Sequence, residues 1–232
     1  MRRTIDKKKI FFYFFLLISL STINFFNLNL NNKEVLKIKN LNIEGLDENL
    51  DLFLKTRLDY LINQNILFID KKKINNILNE ISFIESFEVN KKYPSTLYIN
   101  LSQAKPLALT KKNNINYFIG SNGKLIKQEF FKTNYNLPYV FGNFSTKDFN
   151  NLIKKITEAK LQYLDFKEFY FFKSGRWDLV INDDQIIKLP EQHLFNSLIT
   201  YKKISENKKL SGYKVIDLRI PNQIILGYEN SK

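Results

Sequence analysis

The apolar and polar positions change rhythm several times along the chain. From Ile10 to about Leu30 the sequence reads "IFFYFFLLISLSTINFFNLNL", an uncharged run behind the basic stretch "MRRTIDKKK". At about 1.5 Å per residue such a run reaches across a hydrocarbon core about 30 Å thick, although Ser19, Ser21, Thr22 and Asn24 make its second half polar. No small-x-small pattern follows it, so the pattern predicts an uncleaved transmembrane helix over 10–30 rather than a removed leader. After a polar juncture, Leu36, Ile38, Leu41 and Ile43 lead to Gly45 as a short strand and turn. Leu52, Leu54, Leu58, Leu61 and Ile62 then recur at near-helical spacing. Asp70 stands as N-cap ahead of a second helix that buries Ile74, Ile77, Leu78 and Ile81. Phe87, Val89 and Lys91 share one face of a strand, "KYPS" makes a turn, and Leu97, Ile99 and Leu101 alternate on the return. The order is β-α-α-β-β.

Beyond residue 105 the rhythm is mostly that of strands. "KPLALTKK", "INYFIGSNGKLIKQE" and "LPYVFG" read as short strands, with Gly123 in a hairpin turn. Phe149, Leu152, Ile153, Ile156, Ala159 and Tyr163 form a helical stripe behind Ser145 or Thr146 as N-cap. "FKEFYFF", "RWDLVIN" and "QIIKL" are strands, a helix starting at Pro190 buries Leu194, Leu198 and Tyr201, and strands over 213–219 and 220–228 close the chain. Pro221 cannot donate to a ladder, which puts the last strand at a sheet edge, where unpaired backbone groups can receive a partner.

The net charge of +13 would ordinarily raise nucleic acid as a partner. The distribution changes that reading. Five basic residues and one acidic residue precede the apolar run, so the positive-inside rule keeps the tail cytoplasmic and places the rest outside, away from nucleic acid. The chain has no cysteine, which removes disulfides, thiol nucleophiles and thiolate metal sites. His193 is its one imidazole and reads as a solvated or cap-region residue rather than a base. Asp183 and Asp184 are adjacent in a turn, where side chains point apart instead of converging as an acid/base pair. The aromatic stretch "EFYFFKSGRW" reads as packing for a two-faced sheet rather than a stacking platform for single-stranded nucleic acid. With no Gly-rich phosphate loop and no metal-ligating cluster, no cofactor is expected and the chain does not read as an enzyme.

The pattern "IKNLNIEG", "NILFIDKKKINNIL", "FIESFEVNKKYPSTLYINL" and "KPLAL" resembles the POTRA domain of the bacterial division proteins FtsQ and DivIB. "GRWDLVINDDQIIKLP" and "VIDLRIPNQIILGY" resemble that family's β-domain with its "VDLRY" strand, Ile220 and Pro221 departing from the commoner Tyr-x. The resemblance implies an α+β fold class: a cytoplasmic tail (1–9), a transmembrane helix (10–30), a POTRA domain (36–104), a β-domain with a long antiparallel sheet (105–228) and a short tail (229–232). It also implies a non-enzymatic, membrane-embedded scaffold of the divisome at the septum, in the inner membrane, with its bulk periplasmic. FtsB and FtsL would bind the β-domain edge by strand addition, other divisome proteins the POTRA domain and the span. The expected partner-binding residues are Arg176, Ile220, Asn222, Gln223, Ile224, Ile225, Leu226, Gly227 and Tyr228. The competing readings are a POTRA-bearing component of an outer-membrane assembly or secretion system, and a secreted binding protein or enzyme.

Overall fold

The computed structural model describes residues 7–21, 34–131, 135–181, 184–206 and 212–228. Its first element corrects the expectation of a transmembrane helix. Helix α1 (Lys7–Ser21) has 15 residues, about 22 Å of rise against a hydrocarbon core of about 30 Å. It begins inside the lysine cluster, so its first turn is charged, and residues 22–30 of the expected span lie outside the described residues. Among the described residues no helix is long and apolar enough to cross a membrane.

A three-stranded sheet follows, in the order β1 (Asn40–Glu44), β3 (Thr96–Gln103), β2 (Ile84–Lys92), with β1 parallel and β2 antiparallel to β3. Helices α2 (Glu48–Leu58) and α3 (Lys71–Glu80) cover one face. Asp70 caps α3, its carboxylate accepting from the backbone N–H groups of Lys72 (2.8 Å) and Lys73 (3.4 Å). The α2 stripe is shifted by two residues at its start: Leu50 is buried with Leu54 and Leu58, whereas Leu52 is 67% exposed. Positions i, i+4 and i+8 hold one helix face, and Leu52 falls outside that row.

The larger sheet has nine strands in the order β12, β11, β10, β9, β8, β7, β4, β5, β6. The ranges are β4 (Pro106–Lys112), β5 (Ile115–Gly120), β6 (Leu125–Lys127), β7 (Tyr139–Phe141), β8 (Phe166–Phe171), β9 (Trp177–Ile181), β10 (Ile186–Lys188), β11 (Val215–Asp217) and β12 (Ile225–Gly227). The sheet is mixed rather than antiparallel: β4 with β7, β7 with β8 and β10 with β11 run parallel. The cause is connectivity. Helix α4 (Thr146–Glu158) returns the chain between β7 and β8, and α5 (Leu194–Glu206) between β10 and β11, and a return across the sheet restarts the next strand in the same direction. Ser145 and Asp148 close a capping box at α4.

Both helices lie on one face of the large sheet, burying Phe149, Leu152, Ile156 and Leu198 against Phe169, Trp177, Leu179, Ile187 and Ile216. The opposite face is covered at one end by the three-stranded unit. Phe118 of β5 and Ile126 of β6 belong to the same core as Leu54, Ile74, Phe83 and Leu97. The β5–β6 turn adds polar ties. The Asn122 side-chain amide donates to the carbonyls of Ser82 and Ile84, each at 2.8 Å, and the Lys124 ammonium donates to those of Asn79 (2.6 Å) and Ile81 (3.1 Å) at the end of α3.

Candidate docking edge

The far end of the large sheet is its unpaired border. β12 pairs only with β11, in antiparallel register with Val215 opposite Gly227, Ile216 opposite Leu226 and Asp217 opposite Ile225. The strand expected over 220–228 is shortened to Ile225–Gly227, and the one over 213–219 to Val215–Asp217. Residues 219–224 turn instead, because Asn222 sits at φ 62° and the Gln223 N–H is bonded back to the Ile220 carbonyl at 3.2 Å. The Gly227 carbonyl accepts from the Lys214 N–H at 2.9 Å. Since successive residues of a strand direct their backbone groups to opposite sides, Ile225 and Gly227 face β11, and Leu226 presents N–H and C=O to the open edge. The Leu226 side chain packs on the helical core, whereas Ile220, Ile224, Ile225 and Tyr228 are exposed. The Tyr228 ring lies 4.6 Å from that of Tyr213.

Beside this edge a groove of about 360 Å³ runs between α5 and the turn, lined by His193, Asn196, Thr200, Arg219, Asn222 and Gln223 among others. Its polar wall follows from local backbone geometry. The predicted helix start at Pro190 is displaced to Leu194, because His193 adopts φ 61° and its carbonyl then accepts the Ser197 N–H at 3.2 Å. His193 is exposed, as expected of a cap-region residue.

A row of charges crosses the open face at the same end of the sheet. Asp178 of β9 is opposite Lys188 of β10, which is opposite Asp217 of β11. The Asp217 carboxylate accepts from the Arg219 Nε at 2.8 Å and from its backbone N–H at 3.0 Å, and the guanidinium bonds hold its pKa below the usual carboxylate range. Asp178 is 7% exposed, and burial pushes its pKa up in spite of Arg176, Lys188 and Arg219. Arg176 approaches Asp178 at 3.8 Å and lies over the Phe172 ring at 4.2 Å. The structure thus brings Arg176 into one charged row with Arg219, and β12 borders that row. Sequence reasoning missed Asp178, Lys188, Asp217 and Arg219. The i, i+2 pairs "RWD" and "DLR" carried the signal, since such positions share a strand face.

Other candidates do not converge. Asp184 pairs with Lys167 at 3.6 Å, and Asp183 lies outside the described residues. Among the described residues no three His, Cys, Asp or Glu side chains could hold a metal ion.

Comparison with known proteins gives a consistent family. The profile described as "Cell division protein FtsQ/DivIB, C-terminal" matches residues 108–219. The cell division protein FtsQ of Bradyrhizobium diazoefficiens is 25% identical over 167 residues, which cover 70% of this chain and 48% of that one. FtsQ of Rickettsia typhi is 26% identical over 191 residues, covering 81% and 71% respectively. The chain therefore spans about half the length of the first of these relatives. Among solved structures, the major extracytoplasmic domain of the cell division protein DivIB from Geobacillus stearothermophilus is 18% identical, with 47% of this chain and 99% of that one covered. Its TM-score is 0.34.

Proposed function

The chain belongs to the FtsQ/DivIB family of cell division proteins, and from that premise we propose that it is a non-catalytic scaffold of the divisome whose open sheet edge receives a strand of FtsB, with FtsL in the same assembly. The observation that carries this reading is β12, a border strand paired on one side alone, with Ile225 exposed within it and Ile224 and Tyr228 exposed at its ends. Backbone pairing along the outward N–H and C=O groups supplies affinity, and alternate side chains supply selectivity. The charged row with Arg176 and Arg219 orients an acidic partner side chain, and the groove beside α5 receives the chain as it leaves the edge. The POTRA-like three-stranded unit stands at the other end of the sheet for further divisome contacts, and the protein acts at the septum.

The test separates backbone from side chain. Tyr228→Pro removes an N–H on the open side, because the carbonyl of the same peptide unit, that of Gly227, is bonded toward β11, whereas Tyr228→Ala keeps it. Binding of FtsB to the full chain should fall at least tenfold further with the proline than with the alanine, the thermal midpoint staying close to wild type. A proline variant that binds as tightly as the alanine variant would show that strand addition does not occur at β12.

A further inference from the structure

The tip of the three-stranded unit opposite its junction with the large sheet is assembled from three segments, 34–39, 65–73 and 91–95. The Ile66 N–H is bonded to the Leu36 carbonyl at 2.9 Å, the Lys39 N–H to the Ser95 carbonyl at 2.9 Å, and the Lys91 ammonium to the Leu67 carbonyl at 3.2 Å. Large apolar side chains project from each of these segments: Val35 and Phe68 are both 63% exposed and Tyr93 is 58% exposed. Around them stand seven lysines against two carboxylates. Neither carboxylate is free. Glu34 is paired with Lys37, and Asp70 is occupied in capping α3. Burial lowers the Lys91 pKa, and the nearby Lys71 charge lowers it further.

We propose that this tip rests on an anionic lipid surface, the Phe68 and Tyr93 rings entering the headgroup region and Lys71, Lys72, Lys91 and Lys92 meeting the phosphates. Two observations, joined by a general property of lysine, select lipid over an acidic protein. Two of the three apolar groups, Phe68 and Tyr93, are aromatic rings on separate turns with lysines close by in sequence, the arrangement suited to a boundary that is apolar on one side and wet and anionic on the other. Lysine stems lie along apolar surface while their ammonium groups stay in water, so the two chemistries do not conflict. The tip is also where the chain arrives from α1, whose described residues are all exposed and which carries no charge from Ile10 to Leu20. The contact needs no crossing of the bilayer and is independent of events at β12.

The absence of cysteine makes a local test possible. Phe68→Cys carrying a polarity-sensitive fluorophore, itself an aromatic ring, is compared in the full chain with the same label at Asn100→Cys on the outer face of β3. In vesicles of phosphatidylcholine with phosphatidylglycerol, the label at 68 should shift to the blue and be quenched by a lipid-borne quencher, and the label at 100 should do neither. Lys71→Gln and Lys91→Gln should each lower the lipid-contacting fraction roughly fivefold, as should a change to phosphatidylcholine alone or to high salt. Circular dichroism of each labelled variant checks that it is folded. Equal quenching at 68 and 100, or quenching at 68 that ignores lipid charge and the lysine substitutions, would overturn the proposal.

Discussion

Asn122→Ala should loosen the attachment of the three-stranded unit to the large sheet, and the loss can be worked out from three bonds. The Asn122 amide donates to Ser82 and Ile84, both at 2.8 Å, and its Oδ1 accepts the Lys124 N–H at 3.0 Å. The third bond fixes the orientation of the amide, since a flipped side chain would aim a carbonyl oxygen at two others. At about 0.5–1.5 kcal/mol each, the three bonds contribute about 3 kcal/mol, a large share of a typical stability of about 5–15 kcal/mol. Asn122→Asp, nearly the same shape, should cost more than alanine because it sets an acceptor against two carbonyls. The assay is urea unfolding followed by two probes. Trp177, the only tryptophan, is buried in the core beneath α4 and α5, on the opposite side of the sheet from the three-stranded unit. Far-ultraviolet circular dichroism reports both units. Because Phe118 and Ile126 place large-sheet side chains inside the smaller unit's core, the two probes should move together, by about 1 M urea for a slope of about 2–3 kcal/mol per M. A Trp177 midpoint unchanged in Asn122→Ala, or a loss below about 0.5 kcal/mol, would refute the coupling.

Gly45 sits at φ 95°, and a Cβ there would lie 1.9 Å from the Leu101 carbonyl oxygen, so Gly45→Ala should cost about 3 kcal/mol or more, read as a lowered thermal midpoint. Asp178 has a raised native pKa, so the native state binds its proton more tightly than the unfolded chain and the wild type loses stability as pH rises from about 4 through that raised value. Asp178→Asn should therefore match the wild type in acid and exceed it at neutral pH, and a variant less stable at neutral pH would contradict this. Asp217 works in the opposite sense, its contribution being present above its unfolded pKa and lost as pH falls through the depressed native value, so Asp217→Asn should be destabilising at neutral pH and lose that deficit in acid.

Local rules carried much of the architecture into the sequence. Asp70, and Ser145 or Thr146, were legible as caps because a short polar side chain before an apolar stripe has few other uses, and Asp70 and Ser145 make the capping bonds. The alternation at Leu97, Ile99 and Leu101 placed all three in the core. Long-range effects were not legible. Periodicity gives a strand's faces but not its neighbours, so the parallel pairs made by the α4 and α5 crossovers were missed. The apolar run after Ile10 shows hydropathy but not how much of it is helical, and the described helix covers Lys7–Ser21. At the candidate edge, the run "PNQIILGY" looked continuous, but the left-handed Asn222 divides it into a turn and a three-residue strand. Arg219 was overlooked because it lies just past the end of β11, and its second carboxylate neighbour, Asp178, comes from β9, far away in sequence.

The order of the nine strands has a mechanical meaning. The three-stranded unit is fastened at β5 and β6, whereas β12 is the opposite border, eight inter-strand gaps or about 38 Å from β6. A pull between partners held at these two ends acts across the strands, along their hydrogen bonds, so ladders are stretched in series and open one at a time like a zipper. The series has a thin point at β4 and β7, where the ladder has a single register pair, Leu109 with Tyr139. Next to it the Leu109 N–H reaches the Pro138 carbonyl at 2.8 Å, and the buried Thr110 hydroxyl donates to the Val140 carbonyl at 2.9 Å. One threonine side chain thereby reinforces the seam that such a pull would load at its thinnest point.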